Sequence, residues 1–205
     1  MKKSIFIAAI AVLSMGFASC SSNSAKTDAT EATTEVAAIS VDDVLANAEK
    51  MVGDTVTIEG VCSHLCRQGG KKAFVAGSAD SIMIRCEAYP LMGEPFPKST
   101  IHHPIQVRGI LCEERVDEDA IQEMVRIYTQ AQQPTEDALG TETPKQNAES
   151  GCETERAAKG QKDLVTFEQR IADYRAKIAA RQEKEGKPYL SYYYIQAISY
   201  DVLPE

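Results

Sequence analysis

Thiol and imidazole side chains alternate along Cys62-Ser63-His64-Leu65-Cys66, and both groups ligate soft or borderline metals and take part in thiol chemistry. Zinc takes four thiolate or imidazole ligands. Cys62, His64 and Cys66 are therefore a candidate metal set that Cys86, Cys112, His102 or His103 would complete in space. The spacing is not that of a zinc finger, whose ligand pairs lie close together on a knuckle. Disulfides are the competing use of the same residues, with Cys62, Cys66, Cys86 and Cys112 as candidates. In an extended strand the Cα atoms of Cys62 and Cys66 would lie roughly 13 Å apart, beyond the reach of a disulfide. A bridge between them requires the strand to have ended by Ser63, and Cys62 could instead pair across strands with Cys86 or Cys112. Buried or free thiols are the third reading. A Cys–His nucleophile pair is formally available, but no protease signature accompanies it and no carboxylate is placed beside it. No catalytic residue is assigned.

Other chemically pointed residues carry less. His102-His103 stands in a proline-rich loop and reads as solvated filler or as spare ligands. Arg67, Lys71 and Lys72 beside Phe74 imitate the basic and aromatic surface of a single-strand nucleic-acid binder. The formal charge of −8 and a pI near 5.0 argue against polyanionic partners, so these cations are expected to guard a hairpin edge.

The elements that must position these residues follow from periodicity. Ser40 stands three residues before Asp43, and Val41, Val44, Leu45 and Ala48 follow at helical spacing, which predicts a helix over Val41 to Val52 that stops at Gly53. Thr55 to Cys66 is the first long strand, with Val56, Ile58, Gly60, Cys62, His64 and Cys66 at period two and so on one face. Gln68-Gly69-Gly70-Lys71 and Gly77-Ser78-Ala79-Asp80 are turn sequences, and they delimit strands at Lys72 to Ala76 and Ser81 to Glu87. Tyr89 to Pro104 is a loop, and Ile105 to Glu113 a fourth strand. Gly60 and Gly109 occupy the middles of the first and fourth strands, where glycine marks the bends by which a short sheet curls closed.

Helical patterning then takes over. Asp117 caps a helix striped by Ile121, Met124, Val125 and Tyr128, and Pro134 to Gly151 is a polar linker. From Glu153 to Glu185 the pattern predicts one helix about 50 Å long, with Gly160 a weak point in its first half. Its heptad-like seam of Leu164, Phe167, Ile171, Tyr174 and Ile178 either packs on the shorter helix as an antiparallel hairpin or pairs with another chain. The hairpin is favoured, because the shorter helix offers a matching stripe. Gly186 and Pro188 end the helix, and the aromatic, β-branched run Leu190 to Leu203 is a fifth strand.

The N-terminus supplies an address. Met1-Lys2-Lys3 is basic, Ile5 to Leu13 is apolar, and Phe17-Ala18-Ser19-Cys20 ends in cysteine after small residues. This resembles the lipobox of bacterial lipoprotein signal peptides, with Phe17 in place of the usual leucine. The resemblance implies that residues 1–19 are removed and that Cys20 carries the lipid. Ser21 follows, where aspartate would resemble an inner-membrane retention signal, so a lipid-anchored position in the outer membrane facing the periplasm is expected. Residues 20–39 have the composition of a disordered tether, with a root-mean-square reach of roughly 25 Å. The periplasm permits disulfides, but the thiols left after Cys20 number five, an odd count, so at least one stays free, binds metal or pairs between molecules.

The expected fold is α+β: a five-stranded, OB-like antiparallel barrel from residues 40–117 plus 188–205, with a helical hairpin of residues 118–187 inserted before the last strand. Gly-Val-Cys-Ser-His-Leu-Cys-Arg-Gln-Gly-Gly-Lys-Lys-Ala-Phe, then Asp-Ser-Ile-Met-Ile-Arg and Ile-Gln-Val-Arg-Gly-Ile-Leu, resembles small bacterial lipoproteins with OB-like domains over about residues 50–118. Members carry His-x-Cys at the end of the first strand, matched by His64 and Cys66, and a cysteine where Ala73 stands here. The resemblance implies a periplasmic or surface-associated binding domain and no enzymatic reaction. The expectation is a non-enzymatic interaction module, anchored through Cys20, that binds an envelope protein or associates with itself through the long helix. It takes no nucleic acid and no cofactor. The alternative is a metal-binding or thiol-active protein using Cys62, His64 and Cys66, with zinc as the ion.

Overall fold

The computed structural model describes residues 37–67, 69–79, 81–132 and 152–204. The expected signal sequence, Cys20, nearly all of the expected tether and the expected linker at 134–151 lie outside them. Helix α1 (Val41–Met51) starts where Ser40 Oγ accepts a hydrogen bond from the Asp43 backbone N–H. It follows a two-residue strand β1 (Ile39–Ser40) that pairs in parallel with strand β2 (Thr55–Leu65). Strands β3 (Lys72–Ala76) and β4 (Met83–Glu87) continue the meander. A long loop with a 3-10 turn at Lys98–Thr100 leads to β5 (Pro104–Val116). Helices α2 (Glu118–Gln132), α3 (Glu153–Ala158) and α4 (Phe167–Glu185) precede the last strand, β6 (Leu190–Val202).

The sheet order β2-β3-β4-β6-β5, with β5 pairing back onto β2, closes a five-stranded barrel. The strands are mixed, not purely antiparallel as expected, because β4 and β6 run parallel. Closure makes this unavoidable. In a ring, antiparallel neighbours must alternate in direction, and alternation cannot return to its start around an odd number of strands. One joint has to be parallel, and it falls where β6 inserts between β4 and β5.

The interior is a continuous cluster including Ile58, Val75, Ile84, Val107, Leu111 and Ile195, with Val41, Val44 and Ala48 of α1 packed into it. Of the two mid-strand glycines, Gly109 stands at a register irregularity, whereas Gly60 pairs in regular register and is required by the close approach of Val75 and Ala76. A methyl group at Gly109 would overlap the Gln196 carbonyl and lie 2.5 Å from Ile195 Cγ2, next to the register shift at Arg108/Gly109.

A second cluster forms beside the barrel. Ile121 of α2 and Ile171 and Tyr174 of α4 bury against Val116, with Phe167, Ile178 and Tyr192 packed around them. The rings of Tyr128 and Phe167 stack with centroids 4.0 Å apart. The apolar seam of α4 is thus occupied within the chain. The single long helix is not present. Gly160, at φ +66°, ends α3. Gln161, buried, then donates through Nε2 to the Arg170 carbonyl at 3.1 Å and to Asp173 Oδ2 at 2.8 Å. Thr166 and Gln169 form a capping box that starts α4 afresh. The left-handed glycine and the new N-cap satisfy backbone groups that a continuous helix would have bonded internally. No helix among the described residues is long and apolar enough to cross a membrane.

Candidate functional site

A bulge decides what the first long strand can do. The pairing of β2 with β3 shifts register between Cys62 and His64, which breaks the period-two alternation. Cys62 points into the barrel, and Leu65 takes the next inward place while His64 and Cys66 are only half-buried. The six side chains expected on one face are therefore divided between two environments. Cys62 Sγ lies 3.7 Å from Thr100 Oγ1, and burial pushes its thiol pKa up.

The expected metal set is not assembled: among the described residues no group of three or more His, Cys, Asp or Glu side chains could hold a metal ion. His102 and His103 meet Cys62 through their backbones, the His102 N–H donating to the Cys62 carbonyl at 2.7 Å and the His103 carbonyl accepting from Cys62 N at 3.0 Å, while the His103 ring Nδ1 lies 3.1 Å from the Ile101 carbonyl.

The expected disulfides are absent too, since Cys62, Cys66, Cys86, Cys112 and Cys152 are all free thiols. Cys86 is fully buried on β4, and burial pushes its thiol strongly up. Strand β3 separates it from Cys62 by roughly 9–10 Å sideways. The register also offsets the two by two residues along β3, with Cys62 opposite Val75 and Cys86 opposite Ala73, and the separation exceeds disulfide reach. Cys112 stands nine residues beyond His103, the residue opposite Cys62, so the two lie roughly 30 Å apart along the strand.

The outward side of the barrel holds a more organised constellation. Register carries one row across five strands: His64 pairs with Phe74, Phe74 with Arg85, Arg85 with Tyr194, and Tyr194 with Cys112. Helix α3 lies on this row. Arg85 Nη1 donates to Glu155 Oε1 of α3 at 2.8 Å, and Arg85 Nη2 donates to Glu114 Oε2 of β5 at 2.8 Å. Its Nε lies 3.1 Å from Glu87 Oε1 but out of hydrogen-bonding alignment. Lys159 Nζ reaches Glu114 at 2.7 Å, and Lys72 Nζ reaches Glu155 at 3.4 Å. The Arg85 guanidinium also sits over the Tyr194 ring, 4.8 Å from its centroid. Three cations thus face three carboxylates, and the cluster is electrically self-sufficient. A cleft of about 520 Å³ opens beside it, lined by Phe74, Arg85, Glu155, Lys159, Tyr192 and Tyr193 among others.

Burial would raise the carboxyl pKa of Glu114, but Lys159 and Arg85 outweigh it and hold the group below the ordinary range. A carboxylate with a depressed folded-state pKa contributes stability that is complete above its unfolded value of about 4.3. That contribution is lost as pH falls through the folded value. The melting temperature of the protein is expected to drop as pH is taken from 6 to 3. Replacing Glu114 by Gln should flatten that drop, which thermal melts at each pH would measure; parallel curves for the two proteins would count against the assignment.

At the end of the same row the structure makes a pairing that sequence reasoning missed. Cys152, immediately before α3, places Sγ 3.3 Å from His64 Nε2. The two residues are 88 positions apart, and Cys152 follows a polar stretch with no periodicity to place it. Arg85 was readable as an outward residue of its strand, but its partners on α3 and β5 were not. No family model, curated protein or solved structure matches the chain.

Proposed function

We propose that this chain is a lipid-anchored, non-enzymatic binding module of the cell envelope, held to the outer membrane through Cys20 and facing the periplasm. Residues 1–20 support the anchor, and the barrel supports the module. Its connectivity, β2-β3-β4-β6-β5 with β4 parallel to β6, supports reading it as an OB-type barrel with α2 to α4 inserted before the last strand. The single observation that carries the reading is the position of the cleft. It is lined by Phe74 of β3, Met83 and Arg85 of β4, and Ser191, Tyr192 and Tyr193 of β6, beneath Glu155, Ala158 and Lys159 of the insertion. It thus takes in part of the second and third barrel strands, whose face OB-type barrels use for ligands. With each cation beside the cleft paired to a carboxylate and a net charge of −8, the cleft suits a polypeptide segment better than a polyanion.

The test is photo-crosslinking in intact cells from a reactive group placed at Ser81, on the cleft rim. A discrete adduct with one envelope protein is expected, and it should disappear when Ala158→Trp fills the cleft. Anchoring is read in the same cells: the full chain should fractionate with membranes, and Cys20→Ala should release it. Adducts only with other copies of the chain, or adducts indifferent to Ala158→Trp, would overturn the binding reading. Unchanged fractionation of Cys20→Ala would overturn the anchor.

A further inference from the structure

We propose that Cys152 and His64 form a thiol–imidazole pair that makes Cys152 a site of thiol–disulfide exchange with small, carboxylate-bearing disulfides. The inference is independent of the binding reading and of the lipid anchor.

Geometry carries it first. At 3.3 Å, His64 Nε2 is within range to take the Cys152 proton when the ring carries its own proton on Nδ1. His64 is held in place by β2 and by Phe74, its cross-strand partner, whose ring centroid lies 5.9 Å away. Both members of the pair are half-buried, so a small reagent can reach the sulfur while the ring is kept from turning freely. Cys62, Cys86 and Cys112 lack this arrangement. Cys62 and Cys86 are fully enclosed in the barrel, and Cys112 Sγ faces the carbonyl of Ile110 at 3.6 Å.

A second observation names the class of reagent. Arg156 lies one helical turn beyond Cys152, on the same side of α3. Its Nε is buried without a hydrogen-bond partner, and Arg156 makes no ion pair among the described residues. Of the other charged groups at this end of the row, Glu155 is shared between Lys72 and Arg85. Glu153, next to Cys152, is exposed and screened by solvent. Arg156 is therefore a half-buried cation without a carboxylate partner, one turn from Cys152, and suits the carboxylate of an amino-acid-derived disulfide. Acyl transfer, the other chemistry open to a Cys–His pair, needs donors arranged for an oxyanion. Disulfide exchange develops no such charge.

The exchange is balanced as follows. The Cys152 proton moves to His64 Nε2, the thiolate attacks one sulfur of R–S–S–R, and a Cys152–S–S–R bond forms as the original S–S bond breaks. The leaving thiolate takes the proton back from His64. One thiol is oxidised to the mixed disulfide and one half of the reagent is reduced to R–SH.

The experiment uses the full chain with oxidised glutathione at pH 7, following each cysteine by peptide mass spectrometry. Cys152 is expected to be modified at least tenfold faster than Cys66 or Cys112, and His64→Gln should remove at least tenfold of its rate, an effect well within what a positioned base supplies. Cys62 and Cys86 should stay unmodified in both proteins, reporting an intact barrel. If His64→Gln exposes them, the wild-type protein decides alone. Its ratio of Cys152 to Cys112 rates should fall toward one at pH 10, above the ordinary thiol value of about 8.5, where thiols ionise without help. A ratio that does not change with pH, or an undiminished Cys152 rate in a folded His64→Gln protein, would overturn the pair. Faster reaction with cystamine, a cationic disulfide, than with oxidised glutathione would overturn the reagent class, as would a glutathione rate unmoved by Arg156→Gln.

Discussion

Gly109→Ala is expected to lower the unfolding free energy by at least about 3 kcal/mol, the upper part of the range for overpacking a rigid site. The added methyl would sit 2.5 Å from Ile195 Cγ2 and 2.9 Å from the Gln196 carbonyl carbon, and would overlap that residue's carbonyl oxygen. Two of those neighbours are backbone of β6, which β4 and β5 clamp from both sides, so relief requires moving a strand. Gly60→Ala meets the same obstacle, with Val75 Cγ1 at 2.7 Å and the Ala76 carbonyl overlapped. Gly69→Ala is the control. It adopts φ +78° with nothing within 4 Å of the new methyl, so it should cost only the left-handed penalty of about 1–2 kcal/mol. Urea unfolding of the three variants measures the contrast. A Gly109→Ala midpoint as mild as that of Gly69→Ala would show that the barrel can breathe at its seam.

That pair of glycines was legible in the sequence because glycine in mid-strand has few uses. The strands were legible for a similar reason: Lys72 to Ala76 is bounded by glycine turns on both sides, and Leu190 to Leu203 is aromatic and β-branched throughout. Direction is different. Alternation places a residue in or out and is blind to which neighbour a strand chooses, so the parallel joint between β4 and β6 emerges only from closure. The bulge at Cys62/His64 was equally hidden. Cys, Ser, His and Leu are each acceptable inside or outside, so the parity change that sends Leu65 inward and leaves His64 half-buried leaves no trace in residue type. Gly160 carried a visible hint of the break between α3 and α4, and the apolar seam begins only at Leu164, beyond it, so the residues before the glycine had no pattern of their own to mark a separate helix. What converts the hint into a stop is Gln161, whose amide bonds to α4 require residues 9 and 12 positions further on.

The candidate site was harder still, because it depends on where the insertion lands. His64 was readable as chemically pointed, but its partner was sought among the barrel cysteines and comes from the far side of the linker. Cys62 and Cys86 attract notice in the sequence as thiols, yet inside the barrel they act as small apolar side chains. The residue that ties barrel to insertion is Arg85, whose type and spacing mark it only as a solvent-facing strand residue.

Arg85→Met is expected to cost about 3 kcal/mol, the lower end for removing one partner from a buried ion pair. The lower end applies because Glu87, Glu114 and Glu155 keep 25%, 33% and 23% of their side-chain surface exposed, while Arg85 keeps only 11%. Lys72 and Lys159 also remain to neutralise two of the carboxylates. The loss should be local in character. Glu155 is the anchor of α3, so its release frees the helix while the barrel interior, which contains none of these side chains, stays packed. Trypsin should then cut after Arg156 and Lys159 much faster in the variant, whereas Cys62 and Cys86 stay protected from thiol reagents. Pairing Arg85→Met with Glu155→Gln should be non-additive by at least about 1 kcal/mol, as expected for residues sharing a direct contact. Strict additivity would mean that α3 is held by Lys159 and the Cys152–His64 contact, with Arg85 serving only β4 and β5. The same variant links the two halves of the site. If Glu155 fixes the start of α3, Arg85→Met must also slow exchange at Cys152, because the sulfur loses its fixed place against His64 while His64 itself is untouched.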